Sequence, residues 1–484
     1  MKQGRFIWIL GLLGTASIVL GTLFLLVTPN TIATDDPWKF VPAHVAQTDH
    51  TNLITAALEN EGITLETGPQ VTQLCLSCHE DAAHEVMDTV HWTWQAPPVE
   101  VAWRDEPVST GKANTINNFC IGIQSNETGC TRCHAGYGWT DNTFDFSIQE
   151  NVDCLVCHDQ SGGYVKAGAG LPATGVDLVA AAQSVGTPTR ENCGGCHFNG
   201  GGGNGVKHGD LDESLYFPSE NVDVHMGRYN FLCIDCHQTE DHNVSGRSIS
   251  VSVDADNQIA CTDCHTPELV HGDERITAHL ETVACQTCHI PEGALRDPTK
   301  MEWDWSAAGD PDREENIHEY LRIKGSFVYE SNFMPEYFWY NETAERYLLG
   351  DAINPDEITV LNQPLGDMND PNTLLWPFKV HDAMQPYDTV YNIIIPPNTA
   401  GPEGYWTQFD WDLALANGAE AAGLPYSGEY GFTHTQMFVP ITHMVQPSEH
   451  ALQCTDCHSE NGRLDWEALG YLGDPMTWGG RGTE

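Results

Sequence analysis

The chain has 484 residues, a formal net charge of −47 and 17 cysteines. Such acidity argues against nucleic acid and anionic membrane surfaces as partners and fits a surface kept soluble by self-repulsion. Aromatic residues make up 9% of the chain, which argues against disorder.

The N-terminus reads Met-Lys-Gln-Gly-Arg and is followed by an apolar run from Phe6 to Val27. An apolar run of about 20 residues suits a bilayer-spanning helix, whereas the core of a cleaved signal is shorter. Lys2 and Arg5 put its start on the cytoplasmic side. Residues 1–30 are read as a membrane anchor and 31–70 as a tether. The rest then lies on the periplasmic or extracytoplasmic face. A signal cleaved near Ala33, leaving a soluble periplasmic protein, is the alternative.

The pattern Cys-x-x-Cys-His occurs eight times. In order these are Cys75, Cys78, His79; Cys130, Cys133, His134; Cys154, Cys157, His158; and Cys193, Cys196, His197. Then come Cys233, Cys236, His237; Cys261, Cys264, His265; Cys285, Cys288, His289; and Cys454, Cys457, His458. Two thiols bonded to the macrocycle and an adjacent histidine for iron are what c-type haem attachment needs. Zinc sites and disulfide frameworks do not require a histidine after every pair. Eight covalent haems are expected, using sixteen of the 17 thiols and leaving Cys120.

Val71, Leu74, Val86 and Val90 have helical spacing, which puts the first motif on a helix. Seven motifs crowd into residues 75–289, too closely for separate protein cores, so haem faces must fill the interior. The glycine-rich run Gly194–Gly205 permits close backbone approach, and Arg247–Val253 alternates like a short strand. Residues 300–450 have no motif and are rich in aromatics, read as packing for haem edges and helices. The expected fold is mainly α: a haem-packed multihaem cytochrome c domain over 71–484, with few short strands and an N-terminal transmembrane helix.

Of the 22 histidines, eight belong to motifs and fourteen remain as candidate second ligands. An iron with two histidines is closed and suits electron transfer, whereas substrate chemistry needs an open or weakly held position. Lysine is scarce, with eight in the chain, and Lys207 stands out between the glycine run and His208. A neutral lysine amine can ligate iron.

The stretch Lys112–Asp153, with GKANTINNFC, CTRCHAGYGW and FDFSIQENVDCLVCH, resembles the octahaem tetrathionate reductases. So do NCGGCHFNGGGGNGVKHGDLD at Asn192–Asp212, VACQTCHIP at Val283–Pro291 and PITHMVQP at Pro440–Pro447. That family is related in haem arrangement to hydroxylamine oxidoreductase and pentahaem nitrite reductase. The resemblance implies a mainly helical fold and a catalytic second haem, with His134 on one side, Lys207 on the other, and Cys120 and Asn117 nearby. Lys166 and Lys112 are the alternative lysines. The second histidines implied are His91, His208, His225, His242, His271, His279, His381 and His443, one more than a lysine-ligated set needs. His84, His318, His434 and His450 are reserves.

The function expected is an extracytoplasmic reductase that passes electrons through bis-histidine haems to tetrathionate, nitrite or hydroxylamine. The alternative is a membrane-anchored electron conduit without a substrate of its own. Expected partners are the small substrate and an electron-donor protein or quinol-linked membrane partner, with a homo-oligomer also compatible.

Overall fold

The computed structural model describes residues 49–119, 122–266 and 271–481. The N-terminal apolar run and Cys120 lie outside the described residues. Among the described residues no helix is long and apolar enough to cross a membrane.

The chain divides into two compact units. In the smaller, the described residues fall within Ala260–His279 and carry the sixth motif. This unit has a 3-10 turn at Cys261–Asp263 and a helix at Glu274–His279. The larger unit, Pro42–Ile259 with Leu280–Glu484, carries the other seven motifs.

In the larger unit the N-terminal half is made of short helices and turns. Helix Thr51–Glu61 ends at Gly62, whose φ of 65° needs glycine. Its Ile54, Ala57 and Leu58 pack with Val71, Leu74, Leu155, Leu178 and Ala181. The C-terminal part of the expected tether therefore belongs to the globular unit, because it has an apolar face to bury. Helix Gly68–Leu76 starts with a capping box, Thr67 with Gln70, and has Pro69 in its first turn. It carries Cys75, as the periodicity predicts, and stops before His79.

Residues 299–440 correct the expectation of a mainly helical fold with few short strands. They form a nine-stranded sheet. Its strands are β1 (Thr299–Asp304), β2 (Tyr320–Leu321), β3 (Gly325–Glu330), β4 (Glu336–Tyr340), β5 (Ala344–Arg346), β6 (Thr359–Pro364), β7 (Leu374–Asp388), β8 (Ile393–Ile394) and β9 (Tyr430–Pro440). The spatial order is β2-β3-β1-β7-β9-β6-β5, with β4 and β8 also paired to β7. The 15-residue β7 is the spine. Its residues Leu375–His381 are buried without interruption, so both faces are covered and the alternation that marks a half-exposed strand is absent.

Aromatic side chains supply that cover. On one side Trp303, Trp305, Phe327, Tyr405 and Trp411 pack with Ala383, Met437 and Val439. Another cluster joins Tyr340, Trp376, Phe378 and Phe438 to Ile249. Helix Trp411–Ala422 is capped by Asp410, which accepts from the Leu413 N–H at 3.1 Å. The run Arg247–Val253 is a turn rather than the expected strand, closed by the Val251 and Ser252 N–H groups on the Ser248 carbonyl at 2.9 Å. It has no partner strand, and its serines point to other work.

Candidate haem centres and the site at the second motif

Four motif histidines in the larger unit face a second histidine at nearly one distance. Ring centres are 6.3 Å apart for His79 and His50, 6.4 Å for His158 and His242, and 6.2 Å for both His197 with His91 and His237 with His443. An iron bonded at about 2 Å to two imidazole nitrogens sets the ring centres about 6 Å apart. Four of these eight rings have the other nitrogen held in place. Nδ1 of His158 donates to the Gly186 carbonyl at 2.9 Å and Nδ1 of His237 to Ser245 at 2.8 Å. Nδ1 of His242 donates to Glu85 at 2.7 Å and Nδ1 of His443 to Asp210 at 3.1 Å. This leaves Nε2 for a metal and fixes each ring's orientation. None of the sixteen motif cysteines is in a disulfide. The donor set fits haem c.

His50 is absent from the expected ligands. No local motif marks it, and its place just ahead of the apolar-faced helix Thr51–Glu61 is the only sequence signal. If His50 is a ligand, His50→Ala should convert one low-spin haem to high spin without loss of haem. An unchanged visible and electron paramagnetic resonance spectrum would count against the pairing.

The cysteine sulfurs show which centres adjoin. They stand for thioether sulfurs, so only their neighbourhood matters. Cys75 hydrogen-bonds Cys154, Cys133 hydrogen-bonds Cys196, and Cys193 hydrogen-bonds Cys233. Cys288 lies close enough to Cys457 and Cys454 to feel their charge. The first motif thus adjoins the third, the fourth adjoins both second and fifth, and the seventh adjoins the eighth. The eighth motif folds back as its sequence position requires, with Leu452 N–H on the Cys288 carbonyl at 3.0 Å.

The histidine of the second motif is placed differently from those at the third and seventh. His158 and His289 are the last residues of their helices. His134 instead leaves its 3-10 turn with extended backbone, φ −73° and ψ 142°. That swings its ring among Trp92, Trp94 and Trp139, at 5.1, 5.5 and 4.9 Å between ring centres. Its Nε2 bonds the Trp92 carbonyl at 2.7 Å, and its buried Nδ1 has no hydrogen-bond partner. His134, expected as the iron ligand of the second motif, thus has its Nε2 on a backbone carbonyl and its Nδ1 open, where the four histidines above face a second imidazole.

Three lysines were candidates here, and their surroundings differ. Lys166 is committed: it pairs with Asp153 at 2.7 Å and donates to the carbonyls of His134 at 2.5 Å and Gly136 at 3.2 Å. The Lys112 amine sits over the Trp94 ring, 4.2 Å from its centre. Lys207 donates to the Ser250 hydroxyl at 3.0 Å, in the turn that replaced the expected strand. Burial, with Arg346 and Lys112 nearby, pulls the Lys207 amine down to about 7, so a large share is uncharged at neutral pH.

The sheet brings Lys207 to the loop that begins at Ile116. Lys379 on β7 donates to the carbonyls of Val206 and Lys207 at 3.0 and 2.9 Å and to the Thr299 hydroxyl at 2.5 Å. The same amine stands 5.2 Å from the centre of the Phe119 ring. A Cβ on Gly201 would lie 3.0 Å from Phe119 Cβ and 3.2 Å from Lys207 Cβ, so glycine lets the two loops touch. The loops that carry Asn117 and Lys207 therefore touch at Phe119 and Gly201. Asn117 Oδ1 accepts from the Phe119 N–H at 2.8 Å, fixing the turn that leads to Cys120.

Asn118 stitches this loop to the sheet. Its amide donates to the His381 carbonyl at 2.8 Å and accepts from Gln385 at 2.7 Å and the Thr435 hydroxyl at 2.8 Å. At the loop's other end Arg346 donates to the Ile116 carbonyl at 2.9 Å. Asn118→Ala leaves several buried polar groups unpaired and should cost about 2–4 kcal/mol. Thermal unfolding of the haem-loaded protein measures this; a loss below the low end would mean the loop is held by other contacts.

The remaining expected ligands fall in three places. The ring of His381 packs against Phe119 with centres 4.0 Å apart, and neither ring nitrogen has a hydrogen-bond partner. It faces the Asn117 loop because β7 carries it there beside Lys379. His208 lies near Lys207 and 4.0 Å from Asp210, and His225 is 3.9 Å from Asp223. The segment beside His225 adjoins the seventh motif, with Val224 N–H on the Val445 carbonyl and Gln446 N–H on that of His289. His271 and His279 share the smaller unit with His265, and His279 Nδ1 donates to the Arg275 carbonyl at 2.7 Å.

With this geometry in hand, similar proteins are informative. A family model described as bacterial cytochrome c matches residues 300–461. The crystal structure of an octaheme cytochrome c from Shewanella oneidensis superposes with a TM-score of 0.82 at 47% identity, covering 89% of this chain and 98% of that one. An uncharacterized protein of Archaeoglobus fulgidus is 24% identical over 242 residues, 40% of this chain and 80% of that protein. The chain belongs to the multihaem c-type cytochromes. It carries covalently bound haem c and works in electron transfer.

Proposed function

We propose that the protein is an extracytoplasmic reductase with eight haems, in which the centre at Cys130 and Cys133 passes electrons to a small substrate: tetrathionate, nitrite or hydroxylamine. The observation that supports this most is the contrast between four histidine pairs at closed-ligand spacing and one motif whose histidine is engaged elsewhere. The amine best placed to serve that centre is Lys207. It is buried, has its proton affinity lowered, and has its backbone pinned by Lys379.

A haem with one weakly held axial position can bind substrate and donate electrons to it, which a bis-histidine haem cannot. The chain's own residues supply the surroundings. Trp92, Trp94 and Trp139 exclude water around His134. Lys207 exchanges a proton at Nζ and, when charged, offsets a substrate anion. Asn117 orders the turn before Cys120, whose thiol is proposed to act on a sulfur–sulfur bond. The fourth centre, which adjoins the second through Cys196 and Cys133, is the proposed feeder.

The second reading is an electron conduit, and the histidine pairs favour it equally. An electron-donor protein or a quinol-linked membrane partner would serve either role. Steady-state turnover of the purified protein with a reduced dye, with each substrate tested alone, separates the two. Turnover above about 1 per second with at least one substrate is expected of an enzyme. Turnover with none of them, together with eight low-spin haems, would establish the conduit.

A further inference from the structure

Arg346 is 1% exposed, and its Nε and Nη1 atoms have no hydrogen-bond partner. Its one bond in the structure runs from Nη2 to the Ile116 carbonyl, the residue before Asn117. Among the described residues no carboxylate pairs with it, in a chain with 68 acidic side chains to choose from. A buried guanidinium left with open donors is costly unless something fills them.

The register of the sheet says what shares its surroundings. Arg346 on β5 pairs with Asn362 on β6, Asn362 with Met437 on β9, and Met437 with His381 on β7. Directly paired residues point to the same face; although a bulge at Gln436 and Met437 turns the Asn362 amide onto the Phe438 backbone, the two ends of the row, Arg346 and His381, both meet the Asn117 loop. Arg346 holds one end of that loop and His381 packs under Phe119 at the other. His381 also has two open ring nitrogens at 0% exposure. Lys207 completes the group, near enough for the guanidinium to disfavour its charged form. Three basic side chains therefore converge on one loop with donors to spare.

We propose that Arg346, aided by His381, forms a buried anion site at the second centre that takes a carboxylate or a small inorganic oxyanion. A planar guanidinium with free N–H groups matches two oxygens of such a group. The anion has two sources, a propionate of the haem at Cys130 and Cys133 or a free oxyanion substrate. Only the second source rests on the reductase reading above.

The test uses the haem-loaded protein, with Arg346→Gln and Arg346→Lys. Nitrite and tetrathionate are titrated into oxidised protein by calorimetry, and the haem midpoint potentials are measured separately. If the anion is free, Arg346→Gln should weaken binding at least about tenfold with potentials unchanged, and Arg346→Lys should recover part of it. If it is a propionate, Arg346→Gln should lower the midpoint potential of one haem, since a cation beside it is lost, with Arg346→Lys intermediate. Native affinity and native potentials in both variants would overturn the proposal. If Arg346→Gln yields no haem-loaded protein, the Arg346→Lys measurements decide. Anion binding that depends on Arg346 in a protein without turnover would keep this inference and remove the reductase reading.

Discussion

Lys207→Met is expected to remove turnover, by about 100-fold or more, while the four histidine pairs keep their low-spin spectra. The side chain is buried, and a thioether of similar length fills the space. Ser250, its hydroxyl partner, retains Ser248 at 3.1 Å. Replacing a buried amine by an apolar group of like volume is often near neutral for stability, so the variant should fold with its full haem content. The effect then reads out chemistry rather than collapse. A haem bound through Lys207 should change its spin state or axial-ligand signature in electron paramagnetic resonance, alongside the loss of turnover. Retention of both native spectrum and native turnover would remove Lys207 from the site and leave Lys112 as the next amine to replace, because Lys166 is tied to Asp153.

The haem-binding half was legible because thioether attachment is a local requirement. Two cysteines and a histidine in five residues announce it without knowledge of the fold. The second ligands were less so, since imidazoles are brought together only by packing. His50 sits one helix ahead of the first motif, and the apolar face of that helix is all that flags it. The sheet was illegible for a different reason. β7 reads LLWPFKVHDAMQPYD, with two prolines, a lysine and a histidine inside, and over Leu375–His381, buried on both faces, it does not alternate. Those same irregular residues make the contacts to the loops: Lys379 pins the Lys207 loop, and His381 underlies Phe119. RSISVSV does alternate, yet without a partner strand its serines turn back on one another.

Asp153→Ala should be the most destabilising single change, at about 3–5 kcal/mol. The carboxylate is fully buried and pairs with Lys166, itself 6% exposed. It also accepts from the Tyr137 hydroxyl at 2.8 Å, the Tyr164 hydroxyl at 2.9 Å and the Val156 N–H at 3.1 Å. Removing it strands a buried ammonium beside the His134 carbonyl and frees the start of the third motif. Denaturant unfolding of haem-loaded protein gives the cost. Asp153→Asn keeps part of the hydrogen bonding and should fall between the two. Wild-type stability for Asp153→Ala would mean that water reaches Lys166 and solvates it.

The clamp over the Asn117 loop has a consequence for how the protein is made. Asn118 is held by Thr435, 317 residues further along, and Ile116 by Arg346, 230 residues further along. Seven of the eight motifs precede the last strand, so their cysteines emerge while the loop is still unsecured. Contacts this distant in sequence form late. Haem attachment can therefore proceed on an open chain, and the second pocket closes only when β9 docks beside β7. A chain that ends before Tyr430 would keep most of its haem-attachment motifs yet never close the pocket at the second. In a growing polypeptide, most attachment sites are made before the pocket around the second motif exists.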